Sequence, residues 1–416
     1  MRTRHVVGAL AAAATLALTA CVPNTPEGDA SGSGDTAGGN GPIAVTSTDD
    51  ACDLASTEAT SGTVTFDVSN EGGQVTEFYL MASDGLRIIG EVENIAPGAS
   101  RTLTTTVQPG EYLTLCKPGM IGAGVGQASF TVSGDRVTLT GDDAEQKQEA
   151  VDLYAAFVKD QVGQLLPAVE DFVSLYTGGD DEAAREQFPQ VRAYYERIEP
   201  VAEALGDLDP RIDYREVDAL AEGLDWTGFH RIEKDLWEPQ EGDVNSDGTD
   251  ALAGWEPSTP EQRQEFGDLL VADVTELYDF VHSDDFTTYL ADQGIDWISN
   301  GAIGLLDEVA TGKITGEEDW WSGTDLWDFA ANVEGSQMAF SLVRDFAESK
   351  GDDGATLVEE IDAGYAALSD RLADFGSLEA GFVSYSELTD ADKKELSDLI
   401  NALAEPLSQL TNTVLG

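Results

Sequence analysis

The stretch Glu145–Tyr176, EQKQEAVDLYAAFVKDQVGQLLPAVEDFVSLY, decides the fold of this chain. Its apolar residues fall at Val151, Tyr154, Ala155, Val158, Val162, Leu165, Leu166, Val169, Phe172 and Val173. Steps of three and four residues place them on one stripe of an α-helix. The texture continues to the end of the chain. Phe188–Leu205, Pro260–His282, Asp285–Val309, Leu326–Phe346, Thr356–Phe375 and Leu388–Val414 read as further amphipathic helices joined by loops of ordinary length. No strand signal interrupts residues 141–416, so an all-α region is expected, long enough for two antiparallel four-helix bundles.

Upstream the texture is β. Thr63–Val68, Arg101–Val107 and Arg136–Thr140 alternate polar and apolar residues. Val75–Met81, Leu86–Val92, Glu111–Leu115 and Ala128–Val132 lie between them, with turn signals at Asp84-Gly85, Pro97-Gly98, Pro109-Gly110 and Ser133-Gly134. Short strands at this spacing predict a β-sandwich over residues 43–140. The chain is therefore expected to be multidomain, β first and α second.

The first 20 residues carry Arg2 and Arg4, run apolar through Leu18 and end in small residues before Cys21. This is a secretory signal, too short to serve as a transmembrane helix. Cysteine at the cut position resembles the bacterial lipobox, in which Cys21 is lipidated and becomes the new N-terminus. The Gly-, Ser- and Asp-rich tract that follows, through Pro42, cannot bury enough apolar surface to order itself and is expected to be a flexible spacer.

With 79 acidic and 22 basic residues the net charge is −57. Such a field repels nucleic acid and anionic lipid and concentrates cations. Solubility or adaptation to salt would select the same surface, so charge alone names no cation.

Cys52 and Cys116 fall near the two ends of the β region in an exported, oxidising setting, where a disulfide is the default. A second reading makes Cys116 a metal ligand, because Cys116-Lys-Pro-Gly-Met120 looks like the cysteine-to-methionine loop of a cupredoxin. The β region holds no histidine, which excludes a blue-copper site. A lesser site of Cys52, Cys116 and Glu77 stays open beside the disulfide.

The helical region offers better donors. Trp226-Thr-Gly-Phe-His-Arg-Ile-Glu-Lys-Asp-Leu-Trp237 contains one of the chain's three histidines. His230 and Glu233, three residues apart, share a helix face, and imidazole beside carboxylate suits iron or zinc. Glu196 and Glu199 repeat that spacing upstream, and Asp213 follows across a turn. Carboxylates projecting from facing helices are how helical metal proteins bind iron. A solvated surface is the plain alternative for each of these acids. Asp243–Asp250 matches the first half of a calcium loop, but Gly254 stands where a bidentate acid is required, so it reads as a solvated acidic turn.

Taken together, the runs Tyr195-Glu-Arg-Ile-Glu-Pro-Val-Ala-Glu203, Gly206-Asp-Leu-Asp-Pro210 and Trp226–Lys234 closely resemble the EfeO-type extracytoplasmic components of bacterial iron-uptake systems. Gly304–Val309, Lys313–Asp319 and Thr324–Phe329 look like the same family, as do Asn94–Gly98 and Gln108–Tyr112. The resemblance covers nearly all of residues 43–416. It implies a cupredoxin-like domain followed by an imelysin-like helical domain, historically labelled peptidase family M75. It places the family's His-x-x-Glu pair on His230 and Glu233, and its acidic cluster on Glu196, Glu199, Asp213 and either Asp307 or Glu308.

The function so implied is capture of ferrous or ferric iron, with zinc or copper as lesser fits, and delivery to a permease that works with a haem peroxidase. The location implied is the outer face of the cytoplasmic membrane. Two rivals are a metallopeptidase and a metal-dependent polysaccharide binder. Zinc peptidases of the HExxH type need two histidines one helical turn apart, whereas His230 and His282 are far apart in the chain. The negative surface repels a polyanion unless metal bridges the two. Neither rival fits as well as a carrier that is not an enzyme.

Overall fold

A computed structural model of the chain describes residues 41–137, 144–311 and 313–415. The expected leader at 1–20, the expected lipidation site Cys21 and most of the expected spacer lie outside the described residues, as do the expected strand end at 138–140 and the boundary at 140/141 between the two regions.

Among the described residues nine strands come first: β1 (Ile43–Ser47), β2 (Cys52–Leu54), β3 (Glu58–Thr60), β4 (Gly62–Asn70), β5 (Thr76–Ala82), β6 (Ile88–Ile95), β7 (Ser100–Val107), β8 (Gly110–Cys116) and β9 (Val125–Ser133). They form two sheets, β2-β1-β4-β7 and β3-β9-β8-β5-β6. The pairs β1/β4 and β3/β9 are parallel and the remaining pairs antiparallel. Alternation explains the shared core. Val64, Phe66 and Val68 turn inward from β4 and meet Phe78 and Leu80 of β5 and Phe130 of β9. The Phe66 ring lies 5.1 Å from Phe78 and 5.4 Å from Phe130. Each such buried ring contributes about 2 kcal/mol of transfer free energy. Arg136 and Val137 form no strand, contrary to the alternation there.

Cys52 and Cys116 are bonded to each other, with Sγ atoms 2.01 Å apart. A metal site built on Cys52, Glu77 and Cys116 is thereby corrected, because a disulfide leaves no thiolate to donate. The Glu77 carboxylate instead accepts the Tyr79 hydroxyl at 2.7 Å.

The rest is helical: α1 (Ala144–Gly178), α2 (Asp181–Glu196), α3 (Glu199–Glu203), α4 (Leu208–Ile212), α5 (Glu216–Glu222), α6 (Gly228–Leu236), α7 (Pro260–Val281), α8 (Asp284–Gln293), α9 (Ile295–Thr311), α10 (Asp325–Glu348), α11 (Asp352–Leu372), α12 (Asp390–Leu407) and α13 (Leu410–Leu415). A two-residue-per-strand hairpin, β10 (Gly376–Ser377) with β11 (Gly381–Phe382), interrupts them. Phe188–Leu205 is not one helix, since α2 ends at Glu196 and Pro200 sits in the first turn of α3. Proline lacks an N–H and suits only a helix's first turn. Gly294 likewise divides α8 from α9.

The β region rests on α9. Arg101 of β7 bonds Asp307 at 2.6 Å, Asn300 donates to the Thr104 carbonyl at 3.0 Å, and Asp296 accepts the Thr105 hydroxyl at 3.3 Å. No helix among the described residues is long and apolar enough to cross a membrane.

Candidate metal centre

α2 starts on the side-chain cap of Asp180 and carries Asp181 and Glu182 in its first turn, where negative charge complements the helix dipole. Its apolar stripe, Phe188, Val191 and Tyr195, points into the core and takes Arg192 and Glu196 with it. Both are fully buried. Arg192 bonds Glu196 at 2.6 Å and Asp328 at 3.1 Å, is also bonded to Asp213, and lies 3.4 Å from Asp319 and 3.6 Å from Glu318. The planar fork supplies five N–H donors, which is why one arginine organises so many acids.

α6 brings the imidazole. Gly228 at its start has φ +81°, and a Cβ there would stand 2.1 Å from the Ile212 carbonyl oxygen. Only glycine allows this approach of α6 to the end of α4, and the approach sets Asp213 beside His230. The turn after α9 and the start of α10 complete the cluster with Glu318, Asp319, Asp325 and Asp328.

Glu233 Oε2 lies 3.0 Å from His230 Nδ1, while its Oε1 accepts the backbone N–H groups of Trp321 at 3.0 Å and Ser322 at 2.8 Å. His230 Nε2 faces Glu318 at 3.3 Å and Asp213 at 3.7 Å. The ligand atoms of Asp213, His230 and Glu318 all lie within 4.8 Å of one another, and so do those of His230, Glu233 and Asp319. Beside them Lys313 bonds Glu196 at 2.8 Å, Glu199 at 3.1 Å and Glu308 at 3.0 Å. Asn332 donates to both Glu196 and Glu199. Asp319 Oδ1 and Asp328 Oδ1 are buried without a hydrogen-bond donor.

Burial sets the electrostatics. It pushes Asp213 up to about 6 even though Arg192 and His230 pull the other way, and it pushes Asp209 up to about 7, helped by the charge of Asp213. Burial and Arg192 both oppose charge on His230, yet Asp213, Glu233 and Glu318 outweigh them and push its pKa up to about 10. Burial also raises Glu318, but Lys313, His230 and Arg215 hold it well below the usual carboxylate range. Glu199, Asp319 and Asp328 are raised well above that range, chiefly by burial.

A cleft of about 560 Å³ reaches the cluster. Glu77, Tyr79 and Lys117 of the β region line one side, and Asp209, Asp213, Glu308, Lys313 and Glu318 the other.

Of the residues singled out from sequence, Glu196, Glu199, Asp213, His230, Glu233 and Glu308 come together here. Asp307 does not: one residue along α9 is about 100° around the axis, which turns it toward Arg101 and the β region. His282 is exposed and stacks on Tyr278 at 4.0 Å. In the Asp243–Asp250 turn, Asp247 accepts its own chain at Thr249 and Asn245 accepts Lys234. Sequence reasoning missed Glu318, Asp319, Arg192 and Lys313. In so acidic a chain the signal was the scarcity of bases, since an arginine four residues before Glu196 and a lysine before Glu317-Glu-Asp319 mark where charge is neutralised.

The imelysin family model matches residues 150–410. The iron uptake system component EfeO of Yersinia pestis is 35% identical over 376 residues, covering 90% of this chain and 91% of its own. That of Escherichia coli O157:H7 is 35% identical over 382 residues with the same coverage. An imelysin-like protein of Psychrobacter arcticum 273-4 is similar in structure with a TM-score of 0.42 and 11% identity, covering 67% of this chain and 98% of its own. The chain belongs to the imelysin family and, within it, to the EfeO-type components.

Proposed function

We propose that the chain is an extracytoplasmic iron carrier that takes iron as cargo at the His230 cluster and passes it to a membrane permease. The observation that carries this reading is the buried convergence of Asp213, His230 and Glu318, whose ligand atoms all lie within 4.8 Å of one another. Carboxylates gathered away from water repel one another, and a cation among them offsets that repulsion. One imidazole among hard oxygen donors suits iron, ferrous or ferric, better than zinc or copper.

In this reading Asp213, His230 Nε2 and Glu318 hold the ion, Glu233 orients the imidazole, and Glu196, Glu199 and Glu308 flank it. The names of the curated relatives, iron uptake system components, support iron as the cargo. The β region is read as cupredoxin-like, and a lipid on Cys21, with the spacer behind it, keeps the carrier beside the permease and a haem peroxidase. The cluster's single imidazole favours a carrier over a zinc peptidase.

The test is calorimetric titration of ferrous iron, ferric iron, zinc and copper at fixed ionic strength into wild type, Glu196→Ala and His230→Ala. Tight iron binding lost in both variants is the expected result. Variants that bind iron as wild type does would overturn the proposal.

A further inference from the structure

The cluster already contains a cation. Lys313 is 2% exposed, and its ammonium has three N–H donors, each facing a carboxylate oxygen at 2.8–3.1 Å. The three acids come from different elements: Glu196 ends α2, Glu199 opens α3 and Glu308 sits on α9. They form a tripod around a single point of positive charge.

Lys313 is carried by a short element at the edge of the cleft. It stands on a single 3₁₀ turn, Lys313–Thr315, which Gly316 closes with φ +77°, and its side chain borders the cleft. Lysine carries its charge on a flexible four-carbon stem, unlike the rigid fork of Arg192 pinned among its acids. An ion held by Asp213, His230 and Glu318 lies beside the tripod, within electrostatic reach of Lys313 through Glu318, and its charge repels the ammonium.

We propose that Lys313 is an affinity-setting residue: its ammonium holds Glu196, Glu199 and Glu308 in place while the chain is empty, competes with the incoming ion, and swings into the cleft when the ion binds. The proposal rests on the carrier reading above. It explains how so many acids coexist in an empty chain, and how bound iron is given up. A ligand's apparent affinity is lowered by the fraction of sites held in the competing state.

The experiment uses the purified chain and ferrous iron under argon. Lys313→Gln and the near-isosteric Lys313→Met should bind iron at least 10-fold more tightly than wild type in competition with a chelator, and release it more slowly. Acylation of Lys313 by an amine-reactive reagent, read by mass spectrometry, should rise at least 10-fold when wild type is saturated with iron. Folded variants that bind no tighter, or a Lys313 equally protected with and without iron, would overturn the role given to Lys313. If wild type shows no iron binding that Glu196→Ala abolishes, the carrier reading fails instead.

Discussion

Glu233 grips His230 from the side facing away from Asp213 and Glu318. Its Oε2 meets Nδ1 at 3.0 Å, and its Oε1 is fixed by the amides of Trp321 and Ser322. The His-x-x-Glu pair thus divides into a donor and the group that aims it. With Nδ1 engaged, Nε2 is the nitrogen left to face a cation, as in other sites where a carboxylate orients a ligating imidazole.

Glu233→Gln should therefore weaken iron binding about 10–100-fold, the usual effect of losing such an orienting partner. His230→Ala should abolish binding. Calorimetry on both decides the matter: equal losses would make Glu233 a direct ligand.

Asp307 and Glu308 should separate cleanly. Glu308→Ala removes one leg of the tripod and should alter iron affinity several-fold. Asp307→Ala should leave affinity within about two-fold but lower stability by about 1 kcal/mol, because Arg101 loses its carboxylate partner yet keeps the Glu93 carbonyl and some access to water. Urea unfolding beside iron titration measures both effects.

Glu91 on β6 gives the pH dependence a sign. Burial, then the charges of Glu77 and Glu308, push it from 4.5 up to about 8. Between those values the unfolded chain has lost the proton that the folded chain keeps. Its contribution is therefore fully present below about pH 4.5 and is lost as pH rises through 8. Glu91→Gln should match wild type near pH 4.5 and exceed it at pH 9 by on the order of 2 kcal/mol, partial solvent access allowed for. Denaturant melts across that range check it, and no gain at pH 9 would refute it.

Replacing Cys52 and Cys116 together by serine should cost about 4 kcal/mol, the chain-entropy value for a loop closed across 64 residues. Iron affinity should not change, since the cluster draws its side chains from the helical region. A thermal midpoint unmoved by the double substitution would count against the entropic account.

Much of this was legible in the sequence, and the losses have physical causes. Residues 145–176 announce α1 because a long helix repeats its period many times. The strands β2 and β3 were missed because three residues are too few to show alternation. Glu196 and Glu199 were placed on one continuous helix, whereas Pro200 breaks it and the two acids meet across the break. Asp307 and Glu308 are adjacent in sequence, and only the position of the β region against α9 tells them apart. Glu318 and Asp319 lie on a turn, where no period marks which acids point inward. A buried base such as Arg192 reads, without neighbours, as any surface arginine.

The seating of the β region on α9 bears on how the protein can be dissected. Asp296 and Asp307 are buried, and each takes hydrogen bonds from β7. A helical fragment cut free of residues 41–137 would carry both as naked carboxylates, one of them next in line to Glu308. Metal affinities measured on such a fragment would describe a helix relaxing toward water as much as the cluster itself. The two regions differ in texture, yet they do not make interchangeable parts.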